Sequence, residues 1–363
     1  MDWQRLTNPE DIPSPGLLID PERIDRNIER MISTVGRAAI KRLRPHVKSH
    51  KMAEVMKLQM EHGIHQFKAA TITELEMVAA SGAQDVLLAY QPVGPNVERF
   101  ASLIERYPET SFAAVTDNLS SAQAIAEKLG RERAPFRLYI DVDCGMHRTG
   151  IALGSEMNTL RHWIETQPGV SFAGLHAYDG HLHQSCIESR KKKVNEIRRL
   201  LEDYAAVDPP PEIIVSGSPT FGIWADLTDW QCSPGTTLLW DIGYARAFPD
   251  LQFEIAACLL TRIISRPDNS KICLDLGHKA IAAENPIEQR VYLPALPGAK
   301  AIIHSEEHLV LECQKSTRLK PSAPILAFPK HICPTVALHA SASIVRNGQA
   351  TGESWKVIAR DRI

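Results

Sequence analysis

From Gly16 onward the chain alternates short apolar, β-branched runs with longer amphipathic ones, the pattern of repeated βα units. Residues 16–20 predict a strand, and Pro21-Glu22 opens a helix reaching about residue 39, proline being well suited to a first helical turn. Residues 43–48 predict a second strand, followed by a helix ending at Gly63 in which Met52, Val55, Met56 and Met60 share one face. Residues 67–70, 86–90, 112–115, 138–142 and 172–178 predict five further strands, each trailed by a helical run, and 213–215 predicts the eighth. Eight such strands over residues 16–235 predict an α/β fold of the (β/α)8 TIM-barrel type, with a doubly wound open sheet as the other arrangement that would give this alternation. Beyond Gly235 the texture changes. The apolar runs 237–240, 253–264, 272–276, 291–293, 308–311, 325–328 and 343–345 have no comparable helices between them, and turns such as Asn347-Gly348 predict a smaller C-terminal β-domain, residues 236–363, joined by residues 1–15.

Charge changes little in that picture but excludes partners. The 41 Lys+Arg balance 43 Asp+Glu, so neither a nucleic acid nor an anionic membrane surface is implied. No apolar run approaches a bilayer-spanning length and residues 1–5 lack a signal-peptide core, which leads to the expectation of a cytoplasmic protein. Seven cysteines, odd in number and without a Cys-x-x-Cys pair, fit a reducing compartment better than a disulfide framework.

Candidate chemistry lies where barrel chemistry is expected, at the carboxyl ends of the strands. The basic stretch Arg44-Pro45-His46-Val47-Lys48-Ser49-His50-Lys51 ends the second strand. A lysine crowded by Arg44, His50 and Lys51 is expected to be a nucleophilic amine, suited to a Schiff base with a carbonyl or with pyridoxal phosphate. The same charges also fit a solvated basic turn. Asp143-Cys144-Gly145-Met146-His147-Arg148 follows the sixth strand, His176-Ala177-Tyr178-Asp179-Gly180-His181-Leu182-His183 the seventh, and Ser216-Gly217-Ser218-Pro219-Thr220 the eighth. Small residues after the last barrel strands suit a phosphate cradle, although Ser-Gly-Ser also reads as a plain turn, Tyr178 as core packing and Arg148 as an ion-pair partner. In the C-terminal part, His331-Ile332-Cys333 sets an imidazole and a thiol two residues apart; in an extended segment both would project to one face and could share a metal such as zinc, leaving open positions.

Taken together, Arg44-Pro45-His46-x-Lys48-Ser49-His50-Lys51, Asp143-Cys144-Gly145-Met146-His147-Arg148-Thr149-Gly150, Ser216-Gly217-Ser218-Pro219-Thr220 and His331-x-Cys333-Pro334-Thr335 resemble the D-threonine aldolase / D-serine dehydratase family, fold-type III, alanine-racemase-like pyridoxal phosphate enzymes. The resemblance covers nearly the whole chain. It implies Lys48 as the lysine that carries pyridoxal 5'-phosphate, Arg148 and Tyr178 beside the cofactor, and Ser216, Gly217, Ser218, Gly235 and Thr236 around its phosphate. It also implies His331 and Cys333 as ligands of a divalent metal, zinc or manganese, carried by the β-domain to the barrel mouth, a D-amino acid substrate, and a homodimer. His181 is a candidate base for the substrate hydroxyl. Within the family, aldolases pair the metal histidine with Asp and dehydratases pair it with Cys, as here. Residues 91–96 and 304–308, however, look most like chains grouped with D-threonine aldolases. The implied function is therefore retro-aldol cleavage of D-β-hydroxy-α-amino acids to glycine and an aldehyde, with dehydration of D-serine or D-3-hydroxyaspartate to an α-keto acid and ammonia as the alternative. A non-catalytic pyridoxal phosphate carrier, an amino-acid racemase and a metal hydrolase using His176, His181 and His183 are remoter readings.

Overall fold

The computed structural model describes residues 3, 6–130, 134–314 and 319–362, and element counts below refer to these. Chain contacts divide it into two compact units: residues 29–48, 56–235 and 361–363 form one, and residues 1–28, 49–55 and 236–360 the other.

The first unit is built on seven parallel strands in sequential order, β2 (Gln66–Ala69), β3 (Asp85–Leu88), β4 (Ser111–Thr116), β5 (Phe136–Asp141), β6 (Val170–Ala177), β7 (Ile213–Val215) and β8 (Gln231–Cys232). β3, β4 and β7 are mostly apolar, as strands covered on both faces tend to be, while β2, β5 and β6 carry polar residues among apolar ones. Between them lie α3 (Ile72–Ala80), α4 (Pro95–Arg106), α5 (Leu119–Leu129), α6 (Ser155–Thr166), α7 (Ile187–Val207) and α8 (Phe221–Leu227). Thr71 and Asn118 cap α3 and α5 by accepting the Glu74 and Ser121 amide hydrogens, which satisfies donors a helix start leaves unpaired. Residues 43–46 complete the ring without forming a regular strand. Leu43 bridges Cys232 and His46 bridges Lys68, with Arg44 N donating to Cys232 O at 2.9 Å and Lys68 N to Pro45 O at 2.9 Å. Leu87, Ala113, Val115, Tyr139 and Ile214 fill the interior.

The strand inventory differs from expectation at both ends. Gly16–Ile19 (β1), expected first in the barrel, instead pairs antiparallel with β9 (Ala257–Asp268) and parallel with β15 (Ser341–Arg346) in the other unit. Its apolar pattern suits either sheet, and the partners that decide lie more than two hundred residues away in sequence. The barrel's final strand is β8, whose two residues are too short to leave a periodic signal.

The second unit is a nine-stranded sheet in the order β12 (Lys300–His304), β13 (Leu309–Glu312), β10 (Lys271–Leu274), β9, β1, β15 and β16 (Gln349–Lys356), with β14 (Pro324–Pro329) branching from β9 and β11 (Val291–Tyr292) paired to β14. The expected Asn347-Gly348 turn joins β15 to β16, both residues having positive φ (50° and 76°). Residues 237–240, expected as a strand, begin in a 3-10 turn, Thr236–Leu238. No helix among the described residues is long and apolar enough to cross a membrane.

Candidate active site

The carboxyl ends of β2 to β6 and the turn after residues 43–46 line a cavity of about 520 Å³. Lys48 reaches it from a 3-10 turn, Val47–Ser49, rather than from a strand end, and its N–H donates to Nδ1 of His46 at 3.3 Å. Tyr178, just beyond β6, is the cavity's central ring. Lys48 Nζ stands 5.5 Å from its centroid, the Arg148 guanidinium carbon 5.2 Å and Lys68 Nζ 5.6 Å. Each cation gains from the ring's negative face, and together they make a strongly positive wall.

Backbone geometry makes room for that ring. A Cβ on Gly180 would sit 2.2 Å from Tyr178 Cε1, so that turn closes on the ring only because residue 180 lacks a side chain, while one on Gly217 would make a tight 3.3 Å contact with Cε2. Asp179, 1% exposed, ties the two turns together by accepting Gly217 N–H at 2.8 Å and the Trp224 indole N–H at 2.7 Å. Burial pushes the Asp179 carboxyl up, while Trp224, Thr220 and the Gly217 amide pull the other way. Ser216 adopts a positive φ of 79°, its Oγ accepts Ser233 N–H at 3.1 Å, and Ser218 Oγ accepts Gly235 N–H at 3.1 Å. Ser216, Gly217, Ser218 and Gly235 are thus drawn into one cradle of small residues beside Tyr178. Thr236 hydrogen-bonds Cys333 instead.

Arg148 is carried on a loop closed by Gly150, whose φ is 100° and where a Cβ would lie 2.5 Å from Asp143 N. Asp143 Oδ1 accepts the amide hydrogens of Gly145 and His147, both at 3.0 Å, which shapes the loop's start. His181 packs against Gly145, a Cβ there coming within 3.2 Å of Nε2, and is not among the residues lining the cavity.

The crowd around Lys48 is not the expected one. Arg44, 1% exposed, points to the opposite ends of the strands, where it pairs with Asp85 and donates to Gln66 and Gln231. Lys51 Nζ donates to Ala359 O, and His50 Nδ1 accepts Met52 N–H, its pKa held down to about 3 by burial. The sequence reading missed Lys68 altogether and gave His176 a role only in the hydrolase reading. Lys68 is 2% exposed, His176 5%, and Lys68 Nζ lies 3.3 Å from His176 Nε2. His176 Nδ1 is 2.7 Å from Asp141 Oδ1, and Asp141 Oδ2 accepts the Thr149 hydroxyl at 2.9 Å. Burial together with Lys48 holds the Lys68 ammonium down to about 7 against the raising influence of Asp141 and Asp179. A charged residue inside the apolar run Phe67-Lys68-Ala69-Ala70 was the available signal.

In the sheet unit, His331 and Cys333 are brought together by a helix start, not by an extended segment. His331 is the N-cap residue of α10 (Ile332–Val336), and α9 (Ile242–Ala247) is capped by Asp241, whose other carboxylate oxygen accepts Ile332 N–H at 3.1 Å. Nδ1 of His331 lies 2.8 Å from Glu284 Oε1. Cys333 Sγ is 3.2 Å from Ser49 Oγ and 3.3 Å from Thr236 Oγ1. Burial alone would lower His331, but hydrogen bonding and charge from Cys333, with Asp241 and Glu284, raise it to about 9. Burial would likewise raise Cys333, but His331, Ser49 and Thr236 lower it. The imidazole–thiol pair suits a borderline metal. Among the described residues no three His, Cys, Asp or Glu side chains gather as a complete metal site.

The cavity offers what pyridoxal phosphate needs at one end, amines for its aldehyde and an aromatic ring for its pyridine, while the small residues 216–218 and Gly235 lie beside Tyr178 but are not among the residues lining the cavity. Comparison with known proteins agrees. The family described as "Alanine racemase, N-terminal domain" matches residues 19–241, and "Putative serine dehydratase domain" matches 256–345. Among curated relatives, a D-threonine aldolase from Arthrobacter sp is 25% identical, covering 96% of this chain and 93% of its own length. A 3-hydroxy-D-aspartate aldolase from Paracoccus denitrificans is 27% identical over 97% and 93%. The crystal structure of D-threonine aldolase from Filomicrobium marinum shares the fold, with a TM-score of 0.87, 24% identity and 96% coverage of both chains. Fold, cavity and full-length relatives converge, and the chain belongs to the alanine-racemase-like D-threonine aldolase / D-serine dehydratase family of pyridoxal-phosphate-dependent lyases.

Proposed function

We propose that this protein cleaves D-β-hydroxy-α-amino acids by the retro-aldol route of a D-threonine aldolase, giving glycine and an aldehyde. The observation that carries the reading is the cavity wall of Lys48, Arg148 and Tyr178 beside the Ser216–Gly217–Ser218 turn, in a chain whose full-length relatives include two aldolases. Lys48 would hold pyridoxal phosphate through its amine, Arg148 and Tyr178 would flank the ring, and residues 216–218 with Gly235 would hold the phosphate. The bound cofactor supplies an electron sink for the pair released at Cα. His331 and Cys333 would hold a divalent metal, whose chemistry is Lewis-acid activation of the substrate hydroxyl. The chain's own part is positional. Asp179 fixes the cradle, Gly180 lets Tyr178 lie flush against its turn, and Arg148 presents a permanent cation to an anionic ligand. Membership of the family further supports a D-amino acid substrate and a homodimer.

Cys333 and the serine-dehydratase match over residues 256–345 favour a second reading, dehydration to an α-keto acid and ammonia. Product analysis of the loaded enzyme with D-threonine, with and without a chelator, separates them. Glycine plus acetaldehyde, lost on chelation, is the expected result, whereas 2-oxobutanoate plus ammonia would replace the aldolase with the dehydratase.

A further inference from the structure

Lysine is among the residues least often buried without a partner, and Lys68 occupies the middle of a buried barrel strand. Its contacts run across three strands. Asp141 at the end of β5 accepts the Nδ1 hydrogen of His176 on β6, which fixes the tautomer and turns the Nε2 lone pair toward Lys68 on β2. Thr149 donates to the other Asp141 oxygen. The order carboxylate, imidazole, amine is that of a catalytic triad with an amine in the nucleophile's position, and its amine end lines the cavity.

We propose that Asp141, His176 and Lys68 form a proton relay in which Lys68, additional to Lys48, is a proton-transfer residue of the cavity. A proton taken up by the Lys68 amine passes to Nε2 of His176, giving an imidazolium beside the Asp141 carboxylate, and returns by the same path; no electrons change hands. The groups facing Lys68 set when it titrates. Burial and Lys48 lower it, with a smaller push from Arg44, while Asp141 and Asp179 raise it, which leaves its pKa at about 7. Arg148 and Tyr178 share the same wall, and His46, Tyr90 and Asp117 complete the ionisable lining. Both protonation states of Lys68 are therefore populated at neutral pH. Burial and Lys68 lower His176, and Asp141 opposes them, so the imidazole is neutral and able to accept.

The inference rests on the proposed lyase reading only in its assumption that the cavity's reaction moves protons. The test begins with borohydride reduction of the protein loaded with pyridoxal phosphate, expected to fix the pyridoxyl group on Lys48. Competitive acetylation across about pH 5 to 11, read at each lysine by peptide mass spectrometry, then titrates the other amines. Lys68 is expected to acetylate with a midpoint near 7, and Asp141→Asn should move that midpoint lower. An ordinary lysine midpoint at Lys68, or pyridoxyl on Lys68, overturns the relay. If bound cofactor shields Lys68, the cofactor-free protein is titrated, and failure to label there also counts against an amine open to the cavity. Lys68→Met and Lys68→Arg should each lower kcat by about 10²-fold, with cofactor binding intact. Rescue by arginine, which keeps the charge but does not titrate, would instead assign Lys68 a fixed-charge role. A midpoint near 7 in a protein that turns over no amino acid would retain the amine and reject the lyase reading; turnover with an ordinary midpoint would do the reverse.

Discussion

The two ends of the barrel unit use the same residue types in opposite balance. At the amino ends of the strands, Arg44 and Arg137 share the Asp85 carboxylate, Gln66 and Gln231 accept from Arg44, and the Tyr139 hydroxyl donates to Glu212 at 2.5 Å. At the carboxyl ends, Lys48, Lys68 and Arg148 gather around Tyr178, while Asp141 is committed to His176 and Thr149. Buried charge that is paired in place contributes to a fixed architecture. Positive charge gathered around one ring, on buried Lys68, half-buried Lys48 and exposed Arg148, favours an anionic ligand.

Breaking each end should therefore have a different readout, and the largest effect belongs to the cavity. Lys48→Ala is expected to abolish the borohydride-sensitive absorbance of the loaded protein and to cut turnover by about 10⁴-fold, with an unchanged unfolding midpoint in the cofactor-free protein. At the other end, Asp85→Ala leaves Arg44 and Arg137 without their shared carboxylate. This should cost about 3–5 kcal/mol of stability, read by urea unfolding, with cofactor spectra of the folded fraction unchanged. Asp179→Asn keeps the size but weakens the acceptor for Gly217 N–H, and should loosen pyridoxal phosphate by about tenfold, measured by fluorescence titration. A pH dependence follows from Lys68. The folded pKa of Lys68, about 7, lies below its ordinary 10.5. Between these values the unfolded chain binds more protons than the folded one, so stability rises with pH across that window, and the cost of burying the charge is greatest below pH 7. Lys68→Met removes this cost. Its gain in melting temperature over the parent should be largest at about pH 6 and shrink steadily toward about pH 10. A gain independent of pH would mean that Lys68 titrates in the folded protein as it does in the unfolded chain, with no lowered pKa.

Much of the barrel was legible because its strands carry a local signal. The apolar runs before α3, α4, α5, α6 and α7 are long enough, and their helices regular enough, to be read without partners. β1 and β8 were not. Gly16–Ile19 takes its place from β9 and β15, and the two-residue β8 is defined only by its neighbours.

The candidate site divides in the same way. Lys48, Arg148, Tyr178, Ser216, Gly217 and Ser218 could be proposed from linear motifs because close backbone turns need particular residues in a fixed local order and a basic stretch beside an apolar run marks the lysine. The expected neighbours of Lys48 were those adjacent in sequence, yet Arg44 faces the far ends of the strands, and the cations that share the Tyr178 ring with Lys48 come from β2 and the loop after β5. The Asp141–His176–Lys68 chain had no motif at all, since its members stand on three strands and are 35 and 108 residues apart. The sequence alone determined which local elements form and which turns can approach a ligand, because both follow from periodicity and backbone freedom. Only the tertiary structure decided which charges meet and which are buried, because electrostatic coupling depends on distance through the fold rather than along the chain.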